Sequence, residues 1–152
     1  MNSIDLRTLL FRAVGGGCAV ALMIWLSKIS GVPLMWIPFS TSIVMVMGSP
    51  EAPPAQPLRL LGGHMVCAAA GIACTMLLGF DIWIAALGVG LAIAVMHLLD
   101  VFHPPAGISP IIIATSQAPP DYVFVPVLTG VAILIAYAWI FHRITGTRWP
   151  AR

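Results

Sequence analysis

The chain has 152 residues, of which 60% are hydrophobic and only 8% charged, and its mean hydropathy is +1.02. Soluble domains carry roughly 25% charged residues, so this composition indicates an integral membrane protein. The formal net charge of +2 is small and its lysines and arginines are dispersed, which argues against a nucleic-acid surface. The sequence contains no P-loop or dinucleotide fingerprint, and we expect no cofactor.

The apolar segments, in chain order, predict four full membrane spans and two shorter helices. The full spans are predicted at 13–29, 60–80, 82–99 and 122–141, close to the length that crosses a hydrocarbon core of about 30 Å. The segments at 38–48 and 108–115 lie near prolines and are too short to cross alone. Lipid offers no hydrogen-bond partners to backbone that ends at membrane depth, so these half-helices belong to the protein interior.

The sequence also contains an internal repeat. VGGGCAVALMIWL at 14–26 aligns with LGVGLAIAVMHLL at 87–99; further on, Pro38 aligns with Pro104, and the APP at 52–54 with the APP at 118–120. The prediction is one all-α transmembrane domain over 1–152 with two repeats, about 12–80 and 82–144, each a full span, a proline-broken half-helix and a full span. Paired short segments of this kind point to a transporter binding site. The repeats are inverted if the half-helices form quasi-crossings, and parallel if they are re-entrant.

The beginnings of the two half-helices are predicted to bind a small anion. Proline in a first helical turn loses no hydrogen bond, and the free amides there carry roughly half a positive charge. The alternative is that the hydroxyl groups only cap or pack these helices and that glycine only permits close helix contact. The predicted substrate-binding residues are Ser40, Thr41, Ser42, Ala106, Gly107 and Ser109.

Titratable residues near these segments are candidates for gating. His64 and His103 are predicted to gate the pathway in response to pH, because histidine titrates near neutrality. Asp100 is placed at the water boundary, where it can gate, exchange a proton or fix the loop. His97, Asp100 and His103 also form an HxxDxxH pattern, which on one side of a helix would suit a metal-dependent intramembrane enzyme. Because Pro104 ends the helix there, we expect no metal site and no enzyme.

The loop SPEAPPAQPLR at 49–59 is too polar to face lipid. Two interpretations remain open for it. Glu51 and Arg59 form an ion pair that makes the loop self-contained, or Gln56 and Arg59 line a vestibule in which Arg59 attracts anions.

The basic residues predict how the chain lies in the membrane. Arg7 and Arg12 near one end, and Arg143, Arg148 and Arg152 near the other, place both termini in the cytoplasm, most simply of a bacterial inner membrane. The chain is short for a sealed pathway, so we expect a homo-oligomer.

Three short motifs carry a resemblance to a known family. AQPLR at 55–59, GGH at 62–64 and HPPAG at 103–107 make the chain similar to the HPP family of integral membrane proteins over essentially its whole length. The resemblance implies four spans, and plant plastid and cyanobacterial relatives are associated with nitrite transport. The expected function is therefore transport of a small monovalent anion such as nitrite, with a membrane assembly subunit as a further alternative.

Overall fold

The computed structural model describes residues 5–35 and 37–151, and every regular element in this part of the chain is helical. The prediction of an all-helical membrane protein is confirmed for the described residues. Short 3-10 turns form at Pro53–Ala55, Pro104–Ile108 and Pro120–Val123, and a π turn forms at Phe124–Leu128. The helices are α1 (Leu6–Ser30), α2 (Ile37–Gly48), α3 (Pro57–Leu78), α4 (Ile82–Leu98), α5 (Ser109–Ser116) and α6 (Thr129–Thr145).

Three stretches of the described chain are long and apolar enough to cross a membrane. They are Leu6–Ser30, Pro57–Leu78 and the kinked stretch Pro120–Thr145. α4, predicted as a fourth full span, is apolar but has 17 residues, or about 26 Å of helix against a hydrocarbon core of about 30 Å. α2 and α5 are short, as the sequence predicts, with 12 and 8 residues.

The last stretch departs most from the predicted boundaries. The sequence predicts an unbroken span over 122–141, whereas the straight helix α6 begins only at Thr129. Val125 is extended, with φ −131° and ψ 111°, because the ring of Pro126 disfavours the helical region for the residue before it. α1, by contrast, begins at Leu6 rather than near residue 13, and Arg12 in its extra turns donates to the carbonyl oxygen of Gly48 at the end of α2.

The helices pack in two groups. α1, α2 and α6 share one apolar cluster that includes Met23, Ile43 and Leu134, while α3, α4 and α5 pack closely on one another. In the second group, a Cβ atom on Gly71 of α3 would lie 2.8 Å from the Cα atom of Pro110 in α5. A side chain at this glycine would push the half-helix out of the groove between α3 and α4.

The buried positions of α1 and α4 correspond. Under the alignment that pairs Gly15 with Gly88, the three buried residues of α1 are Gly15, Ala19 and Met23, and their counterparts Gly88, Ala92 and Met96 are all buried in α4. The two helices therefore present the same face to their neighbours.

Both ends of the described chain lie at the same end of the bundle. A cavity of about 280 Å³ is lined by Arg7 and Thr8 at the beginning of α1 and by Thr145 and Thr147 at the end of α6. Residues near the two termini therefore meet on one side of the protein.

Candidate functional site

The centre of the molecule holds a buried polar cluster made of Ser42, His64 and His103. The Oγ atom of Ser42 lies 2.9 Å from Nε2 of His64 and 2.8 Å from Nε2 of His103. The relative exposures of the three residues are 0%, 1% and 0%. Three polar side chains at such burial are stable only if they bind one another, because each lost partner costs about 1–3 kcal/mol.

Each member of the buried polar cluster comes from a different segment. Ser42 lies one turn into α2, His64 lies in α3, and His103 directly precedes the Pro104–Ile108 turn. α2 and the Pro104–Ile108 turn, which leads into α5, therefore meet at the Ser42–His103 hydrogen bond, and α3 completes the cluster.

Two glycines of the GGH motif allow this approach. A Cβ atom on Gly62 would lie 2.6 Å from Cγ1 of Val101, and one on Gly63 would lie 2.5 Å from Cβ of His103. No real Cβ atom tolerates such distances from a chain segment held on both sides. GGH and HPP, which are far apart in sequence, thus form one structural unit.

The hydrogen-bond partners fix the direction of most bonds in the cluster. Nδ1 of His103 lies 2.7 Å from the carbonyl oxygen of Pro54, which can only accept, so this nitrogen carries a hydrogen. In a neutral His103, Nε2 is then an acceptor and receives the Ser42 hydroxyl hydrogen. The Ser42 oxygen in turn accepts from Nε2 of His64, so a chain of aligned donors runs from His64 through Ser42 to His103 and Pro54.

This chain of hydrogen bonds leaves one nitrogen without a partner and gives Ser42 a second possible acceptor. Nδ1 of His64 is buried and has no hydrogen-bond partner, and with Nε2 donating it is a bare acceptor. The Ser42 hydroxyl also lies 2.7 Å from the carbonyl oxygen of Pro38 in its own helix, so it has a second acceptor available. The ring of Phe39 stacks on His64 with centroids 5.3 Å apart, and the His103 ring lies 5.2 Å from it.

The other predicted binding residues surround the cluster without joining it. Thr41 is exposed and its hydroxyl donates to the Pro38 carbonyl oxygen at 3.1 Å, while Ser40 is half-buried. Ala106 and Ser109 are buried. Gly107 is half-buried, and a Cβ atom there would meet nothing within 4 Å, so close packing does not require glycine at this position.

An open groove of about 520 Å³ lies beside the cluster. Thr41 and Pro104, two of its lining residues, are the direct chain neighbours of Ser42 and His103. The remaining lining residues are Val44, Met45, Gly48, Ser49, Ala52 and Pro105. The groove therefore approaches the contact between α2 and the Pro104–Ile108 turn from outside.

The ion pair suggested between Glu51 and Arg59 does not form. Glu51 pairs with Arg12 at 3.2 Å, and Arg59 pairs with Asp100 at 2.7 Å. The second pair ties the beginning of α3 to the end of α4, where Asp100 has a left-handed φ of 52°. The sequence could not predict this partner because the contact depends on how α3 and α4 pack. Arg59 is neutralised at the water boundary, contrary to the role of a free vestibule cation.

Gln56 has a structural position rather than a place in a vestibule. Its amide nitrogen donates to the carbonyl oxygens of Pro50 and Ala52 at 2.8 and 3.1 Å, and its oxygen accepts from the backbone of Ala151 at 2.8 Å. Beside it, the indole of Trp149 donates to the carbonyl oxygen of Ala55 at 3.0 Å. Gln56 therefore closes the loop and holds the C-terminal segment against it.

The HxxDxxH residues diverge. His97 is exposed and stacks on Phe102 with centroids 4.3 Å apart, Asp100 binds Arg59, and His103 turns inward to Ser42. Across residues 5–35 and 37–151, no three His, Cys, Asp or Glu side chains are grouped so that they could hold a metal ion.

The pairing of His64 with His103 is the main feature that sequence reasoning missed. Both residues are predicted as separate gating groups, and the signal that joins them is the glycine pair before His64. Adjacent glycines in an apolar helix indicate that another backbone passes close by, but they do not indicate which segment it is.

The HPP transmembrane-region model matches residues 1–150 of the chain. The chain belongs to the HPP family. A transmembrane protein of Dictyostelium discoideum is 34% identical over 118 residues, which cover 72% of this chain and 38% of the relative. A second transmembrane protein of the same organism is 29% identical over 119 residues, covering 72% and 41%. This HPP protein thus spans about two fifths of the length of these curated relatives, and no solved structure matches it.

Proposed function

We propose that this HPP protein is a transporter, not an enzyme, and that it moves a small monovalent anion, nitrite first, across a bacterial inner membrane. The observation that carries the proposal is the meeting of α2 with the turn that leads into α5 at the buried polar cluster. When the Ser42–His103 bond opens, the cluster frees the Ser42 hydroxyl hydrogen for an anion in a water-free place, and the nearby beginning of α2 favours negative charge. It contains no lysine or arginine, so an anion can be released as well as bound.

The present arrangement corresponds to a closed state of the pathway. Ser42, His64 and His103 are buried, and the groove beside Thr41 and Pro104 is lined by chain neighbours of the cluster and not by the cluster itself. If α2 moves away from the Pro104–Ile108 turn, the Ser42–His103 bond breaks and the groove continues into the cluster. Ala106, Gly107 and Ser109 then face the opened space from the second half-helix, with Ser40 and Thr41 on the first.

The repeat and the orientation belong to the same proposal. Two repeats, about 12–80 and 82–144, with four spans and two half-helices, agree with the matching buried faces of α1 and α4. Both termini are proposed to be cytoplasmic, in keeping with the meeting of residues near the two ends around one cavity. The homo-oligomer remains a prediction, and light scattering of the purified protein in detergent would test it.

The experiment is anion uptake into liposomes that contain the pure protein, with nitrite compared with nitrate, formate and chloride. Saturable nitrite uptake above that of empty vesicles is expected. Ser42→Ala removes the hydroxyl that joins the two imidazoles and should abolish the saturable component. The matched control is Ser116→Ala, since Ser116 is exposed and donates only to the Ile112 carbonyl oxygen of its own helix. Absence of uptake of any anion by folded protein would contradict the proposal.

A further inference from the structure

We propose that the anion crosses together with one proton, which the buried polar cluster accepts at His64 and passes through Ser42 to His103. This inference rests on the transport function proposed above. It specifies the transported class as the anion of a weak acid plus a proton, so that the pathway carries no net charge.

The free position in the cluster is an acceptor. Nδ1 of His64 is buried without a partner, while Nε2 of the same ring donates to Ser42 at 2.9 Å. A bare anion cannot bind to a bare acceptor, but the O–H group of a protonated acid can. The closed cluster is therefore complementary to the acid form of the ligand, or to a proton followed by the anion.

The cluster can hold the added proton without losing a hydrogen bond. When His103 is neutral, the Ser42 hydroxyl donates to its Nε2 atom at 2.8 Å. When His103 gains a proton there, the bond reverses and Ser42 donates instead to the Pro38 carbonyl oxygen at 2.7 Å. Nδ1 of His103 keeps donating to Pro54 in both states. The hydrogen that the transfer leaves on Nδ1 of His64 has no acceptor in the cluster, so the bound anion must accept it.

Within residues 5–35 and 37–151, the side chains around the cluster provide no free compensating charge. His103 is the titratable side chain that faces the His64 ring, and α2 presents the apolar ring of Phe39 to it. On α3 itself, Arg59 towards the water is paired with Asp100, and Cys67 towards the membrane contacts Met96 at 3.6 Å. A buried anion without a partner charge is strongly unfavourable, whereas an imidazolium beside it forms a neutral pair.

The proton steps balance as follows. The O–H bond of the weak acid breaks and an N–H bond forms at Nδ1 of His64. The Nε2 hydrogen of His64 moves to Ser42, and the Ser42 hydrogen moves to Nε2 of His103. The products are the anion, neutral His64 and a His103 imidazolium. The reverse sequence returns the proton to the anion on the other side.

The test measures proton movement and anion movement in the same proteoliposomes. A pH-sensitive dye is enclosed, nitrite is added outside, and valinomycin with potassium clamps the membrane potential in half of the samples. Nitrous acid crosses lipid unaided, so each rate is taken above that of empty vesicles. Nitrate, which has no protonated form at the working pH, is measured beside nitrite.

His64→Gln is the decisive variant. The glutamine amide nitrogen can still donate to Ser42, but the side chain has no basic nitrogen to accept the proton. Internal acidification should fall to the rate of empty vesicles, and any remaining nitrite uptake should become faster with valinomycin. The matched control is His97→Gln, which changes an exposed histidine stacked on Phe102 and should behave as the unchanged protein.

The outcomes separate this inference from the transport proposal. Nitrite uptake with internal acidification and no response to valinomycin supports the inference. Uptake that valinomycin accelerates without acidification overturns it and leaves the transport function standing, whereas no uptake above empty vesicles overturns both. If His64→Gln does not fold, the valinomycin comparison on the unchanged protein decides. If the variant folds and acidifies at the original rate, His64 is not the proton acceptor.

Discussion

The two halves of the molecule share a framework but differ in chemistry. α1 and α4 bury the same three positions, yet the alignment that pairs Pro38 with Pro104 also pairs His64 with Gly130 and Ser42 with Ile108. The first half supplies two of the three cluster residues, Ser42 and His64. Their counterparts in the second half are Ile108, which is apolar, and Gly130, which has no side chain. The corresponding buried faces of α1 and α4 are therefore not matched by corresponding polar residues, since Ser42 and His64 of the first half and His103 of the second have apolar or glycine counterparts.

Phe39 connects the two halves across this difference. Its ring stacks on His64 in α3, and a Cβ atom on Gly130 of α6 would lie 2.5 Å from the ring. The first half has the imidazole of His64 at this position, whereas the second half has Gly130. The ring of Phe39 occupies the space that a side chain at Gly130 would fill. The same ring of Phe39 therefore contacts His64 in the site and packs against Gly130 in α6.

The largest effect is expected at Gly63. Its counterpart in the second half is Thr129, so that position carries a side chain where the first half has none. Gly63→Ala places a Cβ atom 2.5 Å from Cβ of His103 and 3.0 Å from the carbonyl oxygen of Val101. The HPP segment must move, at a cost of about 1–3 kcal/mol or more. Thermal unfolding in detergent should show a large loss. Gly90→Ala, where the Cβ atom meets nothing, is the control and should be neutral or slightly stabilising.

A smaller loss is expected at Gly130, the counterpart of His64. Gly130→Ala forces the Phe39 ring to shift, and a ring on one side chain can move more easily than backbone held at both ends. We expect about 1 kcal/mol of destabilisation together with lower anion uptake, because the shifted ring disturbs His64. Unchanged uptake with normal stability would show that the two halves do not communicate through Phe39.

The ends of the half-helices offer a third comparison. Arg12 donates to the carbonyl oxygen of Gly48 at the end of α2 and pairs with Glu51. The end of α5 is instead closed by Gln117, which has a left-handed φ of 51° and whose backbone amide donates to the carbonyl oxygen of Ile113. Arg12→Gln should therefore cost about 0.5–1 kcal/mol, from the lost helix-end charge and the exposed pair. Arg7→Gln is the control, since Arg7 lies over Phe11. Equal losses in unfolding free energy would indicate a general charge effect.

The smallest effect is expected at the ion pair between Arg59 and Asp100. Asp100 is largely exposed, so Asp100→Asn should change stability by less than about 1 kcal/mol. Because Asp100 neutralises Arg59, the double variant Arg59→Gln/Asp100→Asn, which leaves no unpaired charge, should take up nitrite at the original rate at low and at high salt. A loss confined to low salt, where screening is weak, would restore Arg59 to the role of an anion attractant.

The sequence predicts the helices well where hydrophobic length and proline agree. α2 and α4 match their predicted boundaries within one residue, and α3 begins at Pro57 instead of Leu60, because proline fits a first helical turn. The predicted beginning of the last span, residue 122, is wrong because Pro126 interrupts the helix within a long apolar run. A window of hydropathy measures apolar length and does not register one residue that breaks the helix.

The site was less predictable than the helices. Ser42, His64 and His103 are each identifiable as polar residues in apolar surroundings, but their contacts join positions far apart in sequence. The suggested ion pair between Glu51 and Arg59 was wrong for the same reason. The sequence alone allows Glu51 to pair with Arg12 or with Arg59, and the packing of the helices places Arg12 beside it. Residue type indicates what needs a partner, and only the fold determines which partner it finds.

The contacts of the loop at Pro54 and Ala55 have an optical consequence. Two consecutive carbonyl groups accept hydrogen bonds from opposite sides, one from His103 and the other from the indole of Trp149. A change in the buried imidazole therefore reaches a fluorescent side chain through two adjacent peptide groups. With the other four tryptophans replaced, the emission of Trp149 would report the state of the site without any attached label.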